Sequence, residues 1–156
     1  MSQVPNLDPT LAHINPSAAQ AARYLALDPE RPVVFVNLHE YHERAQYAPN
    51  YSGAGGPADV SGKEAYHRYL RTLEAIHARV GAKMVIAAGC DVVMVGGGNW
   101  HEVVITYYPT RAIAMQLAAF PEYEAAVPHR VAGLKSVLAL ALDEHALDYL
   151  PSLRTP

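Results

Sequence analysis

The chain holds a single cysteine, Cys90, among its 156 residues. One thiol cannot close an internal disulfide, so burial and hydrogen bonding must hold the fold, and a reducing compartment is expected. Lysine and arginine are also sparse, twelve against fifteen acidic residues, and they are scattered. Without a basic stripe, the sequence gives no footprint for nucleic acid and no polybasic attraction to a membrane surface. No apolar run reaches the ~18 residues that a membrane-crossing helix needs. The opening MSQVPNLDPT has neither a basic n-region nor an apolar core, so no signal peptide is expected. The expected location is the cytoplasm. Phenylalanine and tryptophan are scarce too, two and one.

Tyrosine, with ten, and histidine, with eight, take their place. Both carry an apolar body with a polar tip. Such residues suit a pocket for a partly polar small molecule, or equally a Tyr- and His-rich surface or interface. The apolar share of 51% against 17% charged is that of an ordinary globular chain. The length fits one domain large enough to bury its own core.

Residues 1–32 read as an arm and a short helix, with Asn15 as its cap and Pro16 at its first position. Val33–Leu38 is a β-branched strand. Residues 39–62 then lack any periodicity and hold four glycines and two prolines, a loop long enough to act as a lid. Ser61-Gly62-Lys63-Glu64 is a capping box that opens a helix. Behind it Tyr66, Tyr69, Leu70, Leu73, Ile76 and Val80 fall at helical spacing, and Gly81 stops it. Lys83–Ala88 and Val92–Val95 read as strands around a turn at Cys90. The glycines 96–98 form the turn into a strand at His101–Tyr108. Helices are expected from Arg111 to about Ala119 and again from Pro121, the latter interrupted at Pro128. Lys135–Leu142 is the last strand, and 143–156 a tail with a short helical turn.

From residue 33 onward the order is strand, helix, strand pair, helix, strand. This predicts an α+β domain over 33–142, a ferredoxin-like β-α-β-β-α-β sheet with helices on one face, preceded by an N-terminal helical extension. In His101–Tyr108, Val103 and Ile105 point one way and Val104 the other, so both faces are apolar. Helices cover only one of them. A second copy of the chain is the simplest cover for the other, which predicts a homodimer closing as a dimeric α/β barrel.

The ordered series SGKEAYHRY, ARVGAK, NWHEVVITYYPTRAIA and FPEYEAAVPHR resembles long-form members of the bacterial family called domain of unknown function 1330, in the dimeric α/β-barrel superfamily. The matching landmarks are Ser61 to Tyr66, Trp100 and Glu102, Tyr108 to Thr110, Pro121 to Tyr123, and His129-Arg130. The resemblance spans about residues 33–142. It implies the fold and dimerisation but no reaction, because the family has no defined activity. Residues 1–32, the tail after 142 and Pro128 depart from the pattern; the two extensions are candidates to cover a pocket mouth or to exchange between subunits.

Two glycine clusters invite a phosphate reading. Residues 53–58, GAGGPA, fit G-x-G-x-x-A in letters, but no strand leads in and Pro57 follows, so a dinucleotide site is not expected. Residues 96–98 lack the Lys-Ser/Thr of a Walker loop and run into a strand, which makes them a turn. His39 and His42, with Glu40 and Glu43, are of metal-ligand type. Three residues apart on an extended segment they point to opposite faces, and H-E-x-x-H spacing is absent, so no metal is expected. Asp91 beside Cys90 raises a thiol pKa, which reads as an inert thiol. No cofactor is expected.

The remaining set is more informative. Asn37 and His39 share a face with Val33 and Phe35, and His101 shares one with Val103, Ile105 and Tyr107. Polar groups ending apolar strands turn a barrel mouth into a pocket. His129, or else His101, is the candidate base, and Arg130 the candidate cation for an enolate or carboxylate oxygen. Asn37, His39, Tyr66, Tyr69, Trp100, Glu102 and Tyr107 are the candidate substrate-binding residues. In the bland alternative, His129 and Arg130 bond the helix end or a dimer partner. The functional expectation is a cofactor-independent enzyme that abstracts a proton from a partly aromatic or keto-enol metabolite, leading to isomerisation, cyclisation or oxygenation. That reaction class rests on analogy within the superfamily. The alternative is a non-catalytic metabolite-binding dimer with the 39–62 loop as lid; a purely structural module is disfavoured by the polar strand ends.

Overall fold

The computed structural model describes residues 9–53 and 59–153; residues 54–58 of the first glycine cluster lie outside them. The elements run α1 (Ala18–Leu25), β1 (Val33–Tyr41), α2 (Gly62–Val80), β2 (Lys83–Gly89), β3 (Glu102–Tyr108), α3 (Arg111–Gln116), α4 (Pro121–Gly133) and β4 (Leu134–Leu142). The four strands form one antiparallel sheet in the order β2-β3-β1-β4. With α2 and α4 as the crossovers, this is the ferredoxin-like layout expected from the sequence, and α1 is the N-terminal extension.

Local chemistry sets the element ends. The Ser61 hydroxyl accepts the Glu64 N–H at 3.1 Å, and Gly81 closes α2 in the left-handed region at φ 72°. The buried stripe of α2 carries Ala65, Tyr66, Tyr69, Leu70, Leu73, Ile76 and His77, the 3.6-residue pattern of a core-facing helix. With Val33, Val104, Tyr108 and Leu134 from the strands and Leu117 and Ala126 behind, that stripe makes the main core.

Several boundaries differ from expectation. Ser17, not Asn15, caps α1: its side chain accepts the Gln20 N–H, and the Gln20 side chain accepts the Ser17 N–H. Asn15 is taken up elsewhere, as acceptor for Arg130 at 3.0 Å. Val92–Val95 is not a strand. Val92 and Val95 are 65% and 92% exposed with no strand beside them, and Gly96 and Gly98 adopt positive φ, so residues 90–101 form one long connection. Helix α4 runs straight through Pro128. A proline removes one backbone donor, and burial of Ala126, His129, Ala132 and Gly133 outweighs that loss. The tail holds the helical turn expected of it, and more. It forms short 3-10 turns at Glu144–Asp148 and Pro151–Leu153, and Leu147 and Leu153 pack on Val34. Towards the N-terminus, Ile14 is 2% exposed, and the His13 carbonyl accepts the Val137 N–H of β4 at 3.2 Å.

Three backbones meet where β1 ends and α2 begins. The His42 N–H donates to the Gly133 carbonyl, and the Gly62 N–H to the His42 carbonyl, each at 3.0 Å. A methyl group at Gly62 would fall on the carbonyl oxygens of His42 and Gly133, and one at Gly133 would lie 2.8 Å from the Tyr66 nitrogen. Backbone cannot give way there as a flexible side chain can, so overpacking of at least ~1–3 kcal/mol is expected. Gly62→Ala and Gly133→Ala should each lower the thermal midpoint followed by circular dichroism. Gly97→Ala, which meets nothing within 4 Å, should leave it unchanged; equal behaviour of all three would refute the close-approach argument.

Candidate functional site

Alternation along β1 sends Val33, Phe35, Asn37, His39 and Tyr41 towards the helices. Register places His39 directly opposite Glu102 on β3. The ladder between β1 and β4 shifts at Glu40/Tyr41, a bulge at the strand end where the Tyr41 side chain is 4% exposed. Helix α2 crosses above and offers Lys63, Tyr66 and His67, which share one side of the helix at spacings of three and four.

These side chains converge on one carboxylate. Glu102 is 4% exposed. The Tyr41 hydroxyl donates to its Oε2 at 2.5 Å, His67 Nε2 lies 3.0 and 3.1 Å from its two oxygens, and Lys63 Nζ is 3.3 Å from Oε1. Behind Tyr41 sits His39, 1% exposed, with Nδ1 3.3 Å from the Tyr41 oxygen and Nε2 3.1 Å from the Tyr66 oxygen. Burial pushes the Glu102 pKa up, but the Tyr41, His67 and Lys63 contacts outweigh it and hold the carboxyl below its ordinary value. Burial pushes His39 down to about 4, against the upward pull of Glu102. Burial and the Glu102 charge push the Tyr41 phenol far upward. At neutral pH the cluster is thus an ionised carboxylate, a neutral imidazole and an undissociated phenol.

A cavity of about 480 Å³ opens beside the cluster, lined among others by Tyr41, Ser61, Lys63, Asn99, His101 and Lys135. Two of its walls, Tyr41 and Lys63, bond Glu102 directly. Lys135 is paired with Glu40 at 2.8 Å, and this contact, with Ser136 and Asn99, keeps the Glu40 carboxyl below its usual range. A smaller hollow of about 280 Å³, under the C-terminal turns at Pro32 and Leu147, has no such cluster beside it.

The residues expected from sequence divide into groups. His39, Tyr66 and Glu102 come together, with Tyr69 beside Tyr66 at 5.5 Å between rings. His101 faces the cavity: its Nδ1 accepts the Tyr41 backbone N–H at 3.1 Å, and its Nε2 lies 3.1 Å from the Asn99 amide. Asn37 spends its amide on the Val104 carbonyl at 3.4 Å. Trp100 bonds the Gly97 carbonyl at 3.1 Å, within the connection that precedes β3. Tyr107 lies on the opposite face of the sheet, packed in the cluster around Val34. His129 and Arg130 sit apart from Glu102. His129 Nδ1 pairs with the Tyr47 hydroxyl at 2.7 Å, and Tyr47 stacks on Tyr51. Arg130 grips the Ile14 carbonyl and Asn15, so its fork anchors the N-terminal segment, while its charge still disfavours protonation of His39. His42 lines the cavity while His39 is buried. Among the described residues, no group of three or more His, Cys, Asp and Glu is placed to hold a metal ion.

Sequence reasoning missed Tyr41, Lys63 and His67. Their signals were present: Tyr41 is two residues from His39 on one strand face, and Lys63 lies three residues before Tyr66 and four before His67, at helical spacing.

The model of the family described as domain of unknown function (DUF1330) matches residues 56–141, more than half of the chain. Two crystal structures of the RPA0582 protein of unknown function from Rhodopseudomonas palustris, one of them methylated, are similar. Each is 29% identical over 84% of this chain; they cover 95% and, for the methylated form, 93% of their own chains, with TM-scores of 0.72 and 0.71. A protein of unknown function from Bacteroides fragilis, described as dimeric with a ferredoxin-like fold, is 12% identical, with coverage of 72% and 95% and a TM-score of 0.42. No curated protein matches the chain. No helix among the described residues is long and apolar enough to cross a membrane.

The histidine carries a pH signature. His39 titrates near 4 when folded against an ordinary 6.5. Below 6.5 the unfolded chain binds a proton that the folded chain refuses, so stability is full above 6.5 and falls as pH drops towards 4. Urea unfolding should show wild type losing about 2–3 kcal/mol more than His39→Gln between pH 7.5 and 4.5. His42 and His77, also shifted down by burial, act alike in both proteins and cancel. Identical pH slopes would show that His39 is not held neutral.

Proposed function

The chain belongs to the DUF1330 family, and from that premise we propose that it is a small-molecule enzyme of the dimeric α/β-barrel type, moving protons on a partly aromatic or keto-enol metabolite without a cofactor. One observation carries the reading: a buried, ionised carboxylate, Glu102, is held by two walls of a cavity large enough for a small metabolite.

Glu102 takes the proton from a carbon next to a substrate carbonyl. The C–H electron pair moves into the enolate, whose oxygen Lys63 holds through its ammonium group. Returning the proton at another carbon completes an isomerisation; cyclisation or reaction with dioxygen starts from the same enolate. Glu102 becomes a stronger base as this happens. Its pKa is lowered by contacts that include Lys63, against the upward push of burial. A substrate oxygen that draws Lys63 to itself removes one of those contacts, and burial then weighs more. His67 shares the carboxylate with Lys63 and steadies its orientation. His101, with its Nδ1 engaged by the Tyr41 N–H, is a cavity wall that meets the far side of the substrate. His129 and Arg130 support this site indirectly, by holding Tyr47 and the N-terminal segment.

The homodimer belongs to the same reading. On the sheet face away from the helices, Leu138, Leu140 and Ile86 are 42%, 45% and 45% exposed. Val36 and Leu38 of β1, opposite Ile105 and Val103 of β3 and Leu140 and Leu138 of β4, complete an apolar field. The C-terminal turns cover only the end around Val34. A second copy laid face to face buries the rest.

Two measurements test these parts separately. Sedimentation should give a dimer for wild type and a monomer for Leu140→Glu; a monomeric wild type removes the barrel. Mass spectrometry of co-purifying small molecules should identify retained ligand, and proton NMR in D₂O should show exchange of the enolisable position across a panel of cyclic 1,3-diketones and phenolic ketones. Glu102→Gln, which preserves volume and the Tyr41 acceptor, should reduce exchange by at least ~100-fold while ligand is still retained. Retention without exchange in wild type leaves a metabolite binder instead.

A further inference from the structure

We infer that His39 is a positioning residue for this site: it fixes the Tyr41 hydroxyl on Glu102 Oε2, so that Oε1, on the Lys63 side, is the atom that takes the substrate's proton. The inference rests on Glu102 being the base.

The argument is one of proton accounting. An ionised carboxylate only accepts. Tyr41 has one hydroxyl proton and gives it to Oε2. The Tyr41 oxygen can then only accept from His39 Nδ1, 3.3 Å away, so Nδ1 must carry a hydrogen. The groups facing His39 are Tyr41 on its own strand, Glu102 on β3, Tyr66 and His67 on α2, and the charge of Arg130 on α4. Burial, Arg130 and His67 together oppose a second proton more strongly than Glu102 invites one. A neutral ring with Nδ1–H has a bare Nε2, which must accept the Tyr66 hydroxyl at 3.1 Å. Every hydrogen in the row Tyr66, His39, Tyr41 therefore points towards Glu102. His67 Nε2 is shared by both oxygens; Oε2 is further committed to Tyr41, while Oε1 lies 3.3 Å from Lys63, a wall of the cavity.

The order has a simple chemical effect. Were His39 the other tautomer, its bare Nδ1 would compete with Glu102 for the Tyr41 proton. Tyr41 would swing between two acceptors, and the carboxylate would lose its fixed direction.

Nitrogen-15 NMR of the wild-type protein reads the tautomer without any substrate. The expected result is one His39 ring protonated at Nδ1 and unchanged between pH 7.5 and 5.5. An Nε2–H ring, or titration in that window, overturns the inference. In the exchange assay, His39→Asn places an amide N–H near the former Nδ1, whereas His39→Gln reaches towards Nε2. The glutamine variant should lose about 100-fold in kcat at unchanged KM, and the asparagine variant should recover most of it, with both folded by urea midpoint. Equal activities, or a better glutamine variant, refute the positioning role. A fully active Glu102→Gln protein with the expected tautomer would instead remove the base itself, so the two failures are distinguishable.

Discussion

The Glu102 carboxylate is a negative charge taken out of water, and the mouth of the sheet is arranged around that fact. Moving such an ion into a protein interior costs several kcal/mol unless partners replace its hydration. Here a phenol, an imidazole and an ammonium group do so, each from a different place: Tyr41 at the end of β1, His67 and Lys63 along α2. The phenol is steadied by His39, and His39 by Tyr66. Removing the side chain would leave this row of donors with no common acceptor. The first turns of α2 must therefore sit low over the sheet, which is what the glycine contact between Gly62 and Gly133 permits.

The antiparallel sheet divides its labour by parity. Odd positions of β1 and even positions of β3 face the helices and carry the polar row. Even positions of β1 and odd positions of β3 carry the apolar field and the tail contacts. A single strand thereby serves two surfaces, and a one-residue slip would exchange them. The Glu40/Tyr41 bulge relaxes this constraint only at the strand end, beside the cavity.

The fold was largely legible because its signals are local. The capping serine of α2, Gly81 and the apolar stripe between them follow from short-range sterics and spacing. The errors came where long-range packing decides. Val92–Val95 has β-forming side chains but finds no neighbouring strand, and Pro128 sits in a helix that its buried face sustains. The site was half legible for the same reason. His39, Tyr66 and Glu102 stood out as polar groups on otherwise apolar elements. His129 and Arg130 looked like chemistry from their types, yet their partners, Tyr47, Ile14 and Asn15, are 82 or more residues away in sequence. Nothing local announces such a partner.

The sheet's two borders are interrupted by different means. At β2 the ladder slips between Met84 and Ile86, so that strand does not present a regular row of hydrogen-bonding groups. At β4 the His13 carbonyl already occupies the Val137 N–H. Open sheet edges invite further strands and, repeated, fibres. With both borders interrupted, edge-to-edge pairing of strands is disfavoured. The N-terminal segment that Arg130 holds in place thus takes up a hydrogen-bonding position on the outer side of β4 that a foreign strand would otherwise use.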